Sequence, residues 1–297
     1  MVSMKINNLF SKQDKLFALG SPAIAWQIIF FYLPLTLLLI SSFFIQDIET
    51  GAISTFSLTH FSVLFSPSHF SALFNSLWIA IFTSVGCFFL AFPLAMFLAF
   101  YGKKYKNILL TLLIIPFWSN FLLHVYAWFF ILEREGLINN LLLSMHLIKT
   151  PIHFLNSGFA TMVMMIYCYL PFMVLPIYSA LDRFDLNLFE ASENLGASKK
   201  ATFFNILIPL TLPSLRAGFF LVFIPAFGEF IIPELMGGNK QIFVGTVVSN
   251  YIMGSTTTHL GAGFFLISFA FLTLTSFLLY IGLKKISNRL MSRGIRA

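Results

Sequence analysis

Residues 190–209 read EASENLGASKKATFFNILIP, a polar stretch with a central glycine between two strongly apolar runs. The first five residues favour a short helix, and Gly196 permits a sharp reversal with a positive φ. A second helix is expected to begin at Ala197, and Pro209 and Pro213 are expected to stop or kink it. The stretch is therefore predicted to be a pair of short helices that lies outside the apolar parts of the chain.

The rest of the chain has the composition of a membrane protein. Of its 297 residues 58% are hydrophobic and only 10% are charged. Apolar runs of about 20 residues recur, long enough for helices that cross a hydrocarbon core about 30 Å thick. Alternating barrel strands would give a different pattern, so the sequence predicts an all-α, polytopic membrane protein with six transmembrane helices. The predicted spans are 22–44, 73–101, 108–132, 159–181, 212–235 and 263–283.

Lysine and arginine are distributed very unequally between the two sides that six spans would create. Fourteen of the 18 fall in the N-terminal leader, loop 101–107, loop 182–211 and the segment after the last span. Only three fall in loops on the opposite side. By the positive-inside rule both termini and loop 182–211 are predicted to be cytoplasmic. This topology accounts for the net charge of +7, and no nucleic-acid partner is expected.

The three loops on the opposite side are 45–72, 133–158 and 236–262. The first two each contain a short helical pattern, whereas the third is rich in glycine and threonine. Two interpretations stay open for them. They are either gating or partner-docking elements, or short interfacial helices that only cover lipid.

The 190–209 stretch resembles the EAA loop of ABC-importer permeases in its spacing of Glu-Ala, Gly and Ile-x-x-Pro. It departs from that loop at Ser192, where the family favours Ala, and at Ile208, where the family favours Leu. The resemblance implies a single permease domain over 1–297, whose cytoplasmic loop 182–211 forms a coupling helix in a cleft of an ATPase. The residues implied to couple are Glu190, Ala191, Ser192, Gly196, Ala197, Phe203, Ile206 and Pro209.

Phe203, Phe204 and Ile206 are expected to give the second short helix a protruding apolar face, which would fill a groove on a partner. In the alternative, an ordinary re-entry loop, these side chains would lie on the lipid interface. The sequence contains no phosphate-binding loop of the form G-x-x-x-x-G-K-[ST]. The chain is therefore not expected to be an enzyme. ATP and Mg are expected on the partner ATPase, and no cofactor is expected on this chain.

Three further stretches resemble the permease subunit of spermidine/putrescine importers. They are IIPFWSNFLLHVYAWFFIL at 114–132, YLPFMVLPIYSAL at 169–181 and LVFIPAFGEFIIPELMGG at 221–238. His124 is a departure, since these permeases often carry Arg there. The resemblance implies a multi-pass protein of the bacterial cytoplasmic (inner) membrane that translocates polyamine. Its implied partners are a second homologous permease subunit, two ATPase subunits, an extracytoplasmic polyamine-binding protein, the polyamine substrate and membrane lipid.

Five of the six predicted spans contain no Asp, Glu, Lys or Arg, whereas the fifth contains Arg216, Glu229 and Glu234. A charge within the hydrocarbon region costs about 2.5–3.5 kcal/mol on insertion scales, so it usually faces a watery path or a partner. Pro225 and Gly228 precede Glu229 and Pro233 follows it, which predicts a broken helix, a common feature of solute sites in transporters. The predicted substrate path consists of Glu229, Glu234, Trp118, Asn120, Tyr126, Tyr167 and Tyr169.

The sequence leaves alternative interpretations open for two residues and for the function of the chain. Glu229 also fits an inter-subunit salt bridge or a protonated, hydrogen-bonded glutamate, and His124 fits either a proton relay or a hydrogen-bonded packing residue. The chain also fits an importer for another small solute, such as an inorganic anion, or a proton-coupled secondary transporter. A membrane-embedded enzyme is a third class, but the six histidines are scattered and no metal site is predicted. Dependence of uptake on a separately encoded ATPase distinguishes these classes.

Overall fold

A computed structural model describes residues 12–46, 53–56, 59–102, 104–238, 241–253 and 258–294. The described chain is mostly helical, as predicted, with one antiparallel hairpin of strands β1 (Phe44–Gln46) and β2 (Ile53–Phe56). Contacts between Cα atoms divide the chain into two compact units. The first consists of 1–64 and 250–266, and the second of 65–249 and 267–297.

The first unit begins with a helical segment that has no buried residue from position 20 onward. A π-helical turn, Ile28–Tyr32, interrupts it just before Pro34. The hairpin is placed after it, so Phe44 is in a strand and the predicted end of the first span is two to three residues too late. The helices of this unit are α1 (Lys12–Gln27), α2 (Leu33–Ser41) and α3 (Thr59–Leu64).

The second unit contains the site described below. Its helices are α4 (Pro67–Met96), α5 (Lys106–Trp118), α6 (Phe121–Leu132), α7 (Leu137–Ser144), α8 (Gly158–Asp182), α9 (Asn187–Asn194), α10 (Lys199–Thr202), α11 (Ile208–Gly228) and α12 (Ile231–Gly237). Two helices, α13 (Val244–Met253) and α14 (Thr258–Gly294), begin in one unit and end in the other. Two π-helical turns, Phe97–Tyr101 and Phe203–Leu207, complete the regular structure of this unit.

Helices α4, α8 and α11 pack against one another and form the core of the second unit. On α4 the buried face carries a small residue at every third or fourth position, which lets neighbouring helices approach closely. The residues of this face are Ala72, Ser76, Ala80, Ser84, Cys87, Ala91 and Ala95. On α11, Gly218 lies so close to α8 that an added Cβ would come within 2.8 Å of the Met173 sulfur. Larger side chains on either face would separate the helices.

Among the described residues, five helical segments are long and apolar enough to cross a membrane, and a bent helix pair gives up to six. They match the predicted spans, but most extend further. The second begins at Pro67 rather than at 73, and the last covers Thr258–Arg289 rather than 263–283. Segment 236–262, predicted to be a loop rich in glycine and threonine, contains α13 and the start of α14.

The third predicted span, 108–132, is not one straight helix. α5 ends at Trp118, and the helical segment that begins at Phe121 is bent from it by 96°. Ser119 adopts an extended conformation, and the Asn120 side chain accepts a hydrogen bond from the Leu122 N–H at 2.9 Å. A residue that caps a helix in this way starts a new helix, so the break is encoded locally.

The prediction for the fifth span was wrong at its N-terminal end. The helical segment runs from Lys199 to Gly228, so the second short helix of the loop continues directly into the span. Pro209 and Pro213 neither stop nor separate the two. The π-helical turn Phe203–Leu207 comes just before Pro209, which occupies the first turn of α11. A wider turn and a first-turn position both accommodate a proline that cannot donate a backbone hydrogen bond.

Candidate functional site

The loop after the fourth span folds as the predicted pair of short helices. α9 ends at Asn194, the chain reverses at Gly196 with a φ of 83°, and α10 begins at Lys199. The Ala197 N–H donates to the Ser192 carbonyl at 3.0 Å, which satisfies a carbonyl at the C-terminus of α9. The predicted positive φ of Gly196 is therefore confirmed.

A buried polar pair joins the two short helices. The hydroxyl groups of Ser192 and Thr202 hydrogen-bond to each other, and both side chains are almost fully buried. The Thr202 hydroxyl also lies 3.3 Å from the Ser198 carbonyl. Ser192 is one of the two positions at which the sequence departs from the EAA pattern. The departure thus has a structural role, because the hydroxyl connects α9 to α10.

The apolar face of the second short helix differs from the prediction. Phe203 packs edge-on against Phe92 of α4, with ring centroids 6.0 Å apart, and Ile206 is half-buried. Phe203 therefore packs against the bundle rather than protruding, and Ile206 is only partly exposed. The most exposed large apolar side chains of the two short helices and their connection are Phe204, 63% exposed, and Leu195, 88% exposed. A partner that docks here would therefore contact these two side chains first.

The other residues of the loop motif lie at its surface or beneath it. Glu190 and Ala191 are exposed on α9, whereas Pro209 is buried at the start of α11. Among the described residues, no side-chain hydrogen bond or salt bridge of Glu190 accounts for a Glu-Ala pair at this surface. Their role in docking an ATPase stays a prediction.

A cavity of about 500 Å³ lies where α5 meets α6, beside α8 and the gap between α11 and α12. Six of its 14 described lining residues are aromatic, and Glu229 is the one carboxylate among the 14. The aromatic residues of the walls are Phe117, Phe121, Tyr167, Tyr169, Phe172 and Phe230. Ligand cavities are commonly apolar with a few oriented polar groups, and this one has that character.

Glu229 occupies the predicted break of the fifth span. α11 ends at Gly228, Glu229 is extended with φ −65° and ψ 134°, and α12 begins at Ile231. Its Oε1 accepts hydrogen bonds from the N–H groups of Phe230 at 3.1 Å and Ile231 at 3.0 Å. Its Oε2 accepts one from the Tyr169 hydroxyl at 2.8 Å. The carboxylate is therefore held in one orientation by two backbone groups and one side chain from another helix.

His124 also lines the cavity. Its Nε2 lies 3.1 Å from the Ser119 hydroxyl, and its ring packs edge-on against Tyr167 with centroids 5.9 Å apart. These contacts agree with the interpretation of His124 as a hydrogen-bonded packing residue. They also place an imidazole at the cavity wall, on a different helix from Glu229.

The cavity brings together only some of the residues predicted for the substrate path. Glu229, Tyr167 and Tyr169 line it. Four predicted residues are not among its lining: Trp118, Asn120, Tyr126 and Glu234. Of these, Trp118 is 80% exposed, Tyr126 and Glu234 are also exposed, and Asn120 caps α6. Asn120 therefore has a local structural role.

Several lining residues are absent from the predicted substrate path, among them Phe117 and Phe172. Their rings meet edge-on with centroids 5.4 Å apart and connect α5 to α8. Phe172 lies three positions after Tyr169, so both fall on one face of α8. That spacing was a usable signal. The contribution of Phe117 was not predictable, because it depends on the bend between α5 and α6.

The described residues contain no group of three or more His, Cys, Asp or Glu side chains that could hold a metal ion. Cys87 and Cys168 are both free and buried in the core. The chemistry of the cavity is therefore that of one oriented carboxylate, aromatic rings and hydroxyl groups. Such a set of groups suits the binding of an organic cation.

Comparison with known proteins identifies the family of the chain. The family model for the binding-protein-dependent transport system inner membrane component matches residues 91–293. The spermidine/putrescine transport system permease protein PotB of Escherichia coli is 38% identical over 225 residues, 76% of this chain and 82% of that protein. PotB of Salmonella typhimurium is 37% identical over 76% of this chain and 78% of its own length. PotB of Haemophilus influenzae is 31% identical over 91% and 93% of the two chains.

A solved structure has the same fold. The crystal structure of a bacterial ABC transporter involved in the import of the acidic polysaccharide alginate contains a chain that aligns with a TM-score of 0.67. The alignment covers 92% of this chain and 95% of that chain at 19% sequence identity. At this identity the likeness concerns the fold alone. With the apolar helices described above, the chain is a multi-pass inner-membrane protein, and it belongs to the family of inner-membrane permease components of binding-protein-dependent ABC importers.

Proposed function

We propose that the chain is the permease subunit of an ATP-driven importer and translocates a polyamine, spermidine or putrescine, across the cytoplasmic membrane. We further propose that residues 1–297 act as one permease domain. The support comes from two sources: the named substrates of the relatives that are 37–38% identical, and the chemistry of the cavity. The cavity by itself favours a cationic ligand of no particular kind. The substrates named for the relatives favour a polyamine as that cation.

The orientation of Glu229 carries the proposal. An ionised carboxylate has about four positions that accept hydrogen bonds. Two backbone N–H groups occupy Oε1, and the Tyr169 hydroxyl occupies one position on Oε2. One position on Oε2 is left for a donor from a ligand. The site is thus suited to a single ammonium group, with aromatic faces around the methylene chain that follows it.

Magnitudes agree with transient binding. A polyamine must lose hydration to cross an apolar span, and each aromatic face offers a cation only about 0.5–2 kcal/mol. A charge-assisted hydrogen bond adds about 1.5–3 kcal/mol. Together these contributions hold an ammonium group without trapping it, as conduction requires. An inorganic anion is disfavoured, because the one carboxylate of the cavity would repel it.

The proposal assigns the remaining work to other chains. A second homologous permease would complete the pathway, two ATPase subunits would hold ATP and Mg, and an extracytoplasmic binding protein would deliver the polyamine. The exposed side chains Leu195 and Phe204, with Glu190 and Ala191 on α9, form the surface that would contact an ATPase. Both termini and this loop would lie in the cytoplasm, as the distribution of lysine and arginine favours.

Glu229→Gln tests the site, because it keeps the shape of the side chain and removes its charge. We expect putrescine uptake by the assembled importer to fall about tenfold or more, since the charge-assisted bond to the ammonium group is lost. Co-purification of the ATPase measures assembly in the same preparation. Unchanged uptake by an assembled variant would reject the role of Glu229, and loss of assembly would favour an inter-subunit salt bridge.

Glu234→Gln is the matched control, with the same chemical change five positions along the chain. Glu234 is exposed on α12 and is not among the cavity lining. We expect a smaller loss of uptake, which shrinks further as added salt screens the exposed charge. An effect as large as that of Glu229→Gln would show that net charge, rather than the oriented carboxylate, matters.

A further inference from the structure

A groove of about 500 Å³ lies along the last helix, far in sequence from the residues of the cavity. The residues that line it are Ile281, Lys284, Lys285, Asn288 and Arg289. Their spacing of three and four positions places them on one face of α14. This basic groove combines three cationic side chains with one amide, and it contains no carboxylate.

A further cationic group lies beside Tyr280, the residue that precedes Ile281 on α14. Arg216 of α11 lies over the Tyr280 ring, with its Cζ 5.9 Å from the ring centroid, and Lys284 Nζ lies 6.0 Å from the same centroid. The Arg216 Nε is buried and, among the described residues, has no hydrogen-bond partner. The salt bridge between Lys106 and Asp182 involves neither of these two cations.

An apolar surface continues from the groove toward the middle of the helix. Leu274, Phe277, Leu278 and Ile281 are all exposed, and they lie on the same helical face as Lys284 and Lys285 because the intervals are three, four or seven positions. The apolar stretch of α14 ends where the lysines begin. The face therefore offers hydrocarbon contacts on one side and cationic groups on the other, in the order in which a phospholipid presents its chains and its headgroup.

The ligand class follows from this arrangement. A free phosphate would contact the cationic groups but would leave the apolar surface uncovered. An anionic phospholipid satisfies both parts, and clusters of Lys and Arg at the end of a membrane helix are a recognised setting for such headgroups. We propose that the basic groove of α14, with Arg216 beside it, binds the headgroup of an anionic phospholipid such as phosphatidylglycerol, whose acyl chains lie along Leu274–Ile281.

The test compares lipid binding by full-length chains. Detergent-purified protein is titrated with phosphatidylglycerol or phosphatidylcholine, and bound lipid is counted by native mass spectrometry. We expect the wild type to bind phosphatidylglycerol at least about tenfold more tightly than phosphatidylcholine, because only the former carries net negative charge. The K284Q/K285Q variant should lose this preference, and the K284R/K285R variant, which keeps the charges, should retain it.

The R134Q/K149Q variant is the matched control. It also removes two positive charges, but from loop 133–158, so it should keep the preference for phosphatidylglycerol. Arg216→Gln provides a second measurement if K284Q/K285Q does not fold, and it should weaken the preference at least about threefold, because one cation fewer attracts the headgroup.

Three results would overturn the proposal. The first is an unchanged preference in folded K284Q/K285Q, or in Arg216→Gln if the double variant does not fold. The second is displacement of the lipid by inorganic phosphate at the same concentration. The third is displacement by the purified ATPase subunit, which would identify the groove as a protein interface.

Discussion

Glu229 has a structural role at the helix break and is also the proposed ligand-binding group of the cavity. Its carboxylate accepts two backbone hydrogen bonds at the start of α12, so it stabilises the helix break as a capping side chain does. The same contacts orient Oε2 toward Tyr169 and the cavity. A purely structural glutamate has no need to line a cavity of about 500 Å³. The position in the cavity wall is the reason to assign it a ligand.

Tyr169→Phe tests whether Tyr169 positions the carboxylate. The ring is 9% exposed and would stay packed, while the 2.8 Å hydrogen bond to Oε2 is lost. Loss of such a bond costs about 1 kcal/mol, which corresponds to about fivefold in affinity. We expect the half-saturating putrescine concentration for uptake to rise about threefold to tenfold, with a smaller change in maximal rate. Kinetics of uptake by the assembled importer measure both quantities.

Tyr126→Phe is the matched control for that experiment. Tyr126 is 48% exposed on α6 and does not line the cavity, so removal of its hydroxyl should leave both kinetic quantities unchanged. If Tyr169→Phe also changed neither quantity, Tyr169 would have no positioning role. A fall in maximal rate alone would likewise contradict the prediction.

At the scale of elements, Gly196 determines the direction of α10. It has a φ of 83°, and an added Cβ would meet no atom within 4 Å, so the constraint is conformational rather than steric. A β-branched residue in this region is strained by about 1–2 kcal/mol. We expect Gly196→Val to insert into the membrane normally and to lose the ATPase during purification of the complex.

Gly196→Asn is the control, because asparagine adopts the left-handed region more readily than other residues with a Cβ. It should retain the ATPase. Normal ATPase retention by Gly196→Val would mean that the loop tolerates a redirected α10. The coupling role implied by the EAA resemblance would then lose its structural basis.

The helix breaks were predictable from the sequence at one site and not at another. Pro225, Gly228 and Pro233 predicted the interruption at Glu229, because each weakens helical hydrogen bonding on one side of it. At Pro209 the helix was predicted to stop or kink, but it continues. The π-helical turn before Pro209 accommodates the proline in the first turn of α11. A proline in the sequence shows only that one backbone N–H donor is missing. Whether the helix ends there depends on the conformation of the turn around it.

The cavity was only partly predictable for a related reason. Glu229 is conspicuous as a charge in an apolar span, and Tyr169 shares the period of α8. Phe117 and His124 join them because the chain bends by 96° after Trp118, and that bend depends on the Asn120 cap. Sequence periodicity identifies the faces of single helices, but it contains no information on which faces meet across a bend.

For the whole molecule, we expect loops 133–158 and 182–211 to lie on opposite sides of the membrane. Lys149 and Lys200 are both exposed, so a single cysteine at either position should be accessible from its own side. In a background without Cys87 and Cys168, an impermeant thiol reagent added to intact cells should label Lys149→Cys only. In inside-out vesicles it should label Lys200→Cys only. Labelling of both in intact cells would contradict the topology.

ATP-driven uptake of labelled putrescine tests the central claim most directly. The full-length chain is reconstituted into proteoliposomes with its second permease, its ATPase and its binding protein, and uptake is followed with and without ATP. We predict uptake that requires ATP and the ATPase, is abolished by omission of this chain, and persists when the proton gradient is collapsed. Uptake driven by a proton gradient without the ATPase, or ATP-driven uptake that excludes putrescine and spermidine, would contradict the account.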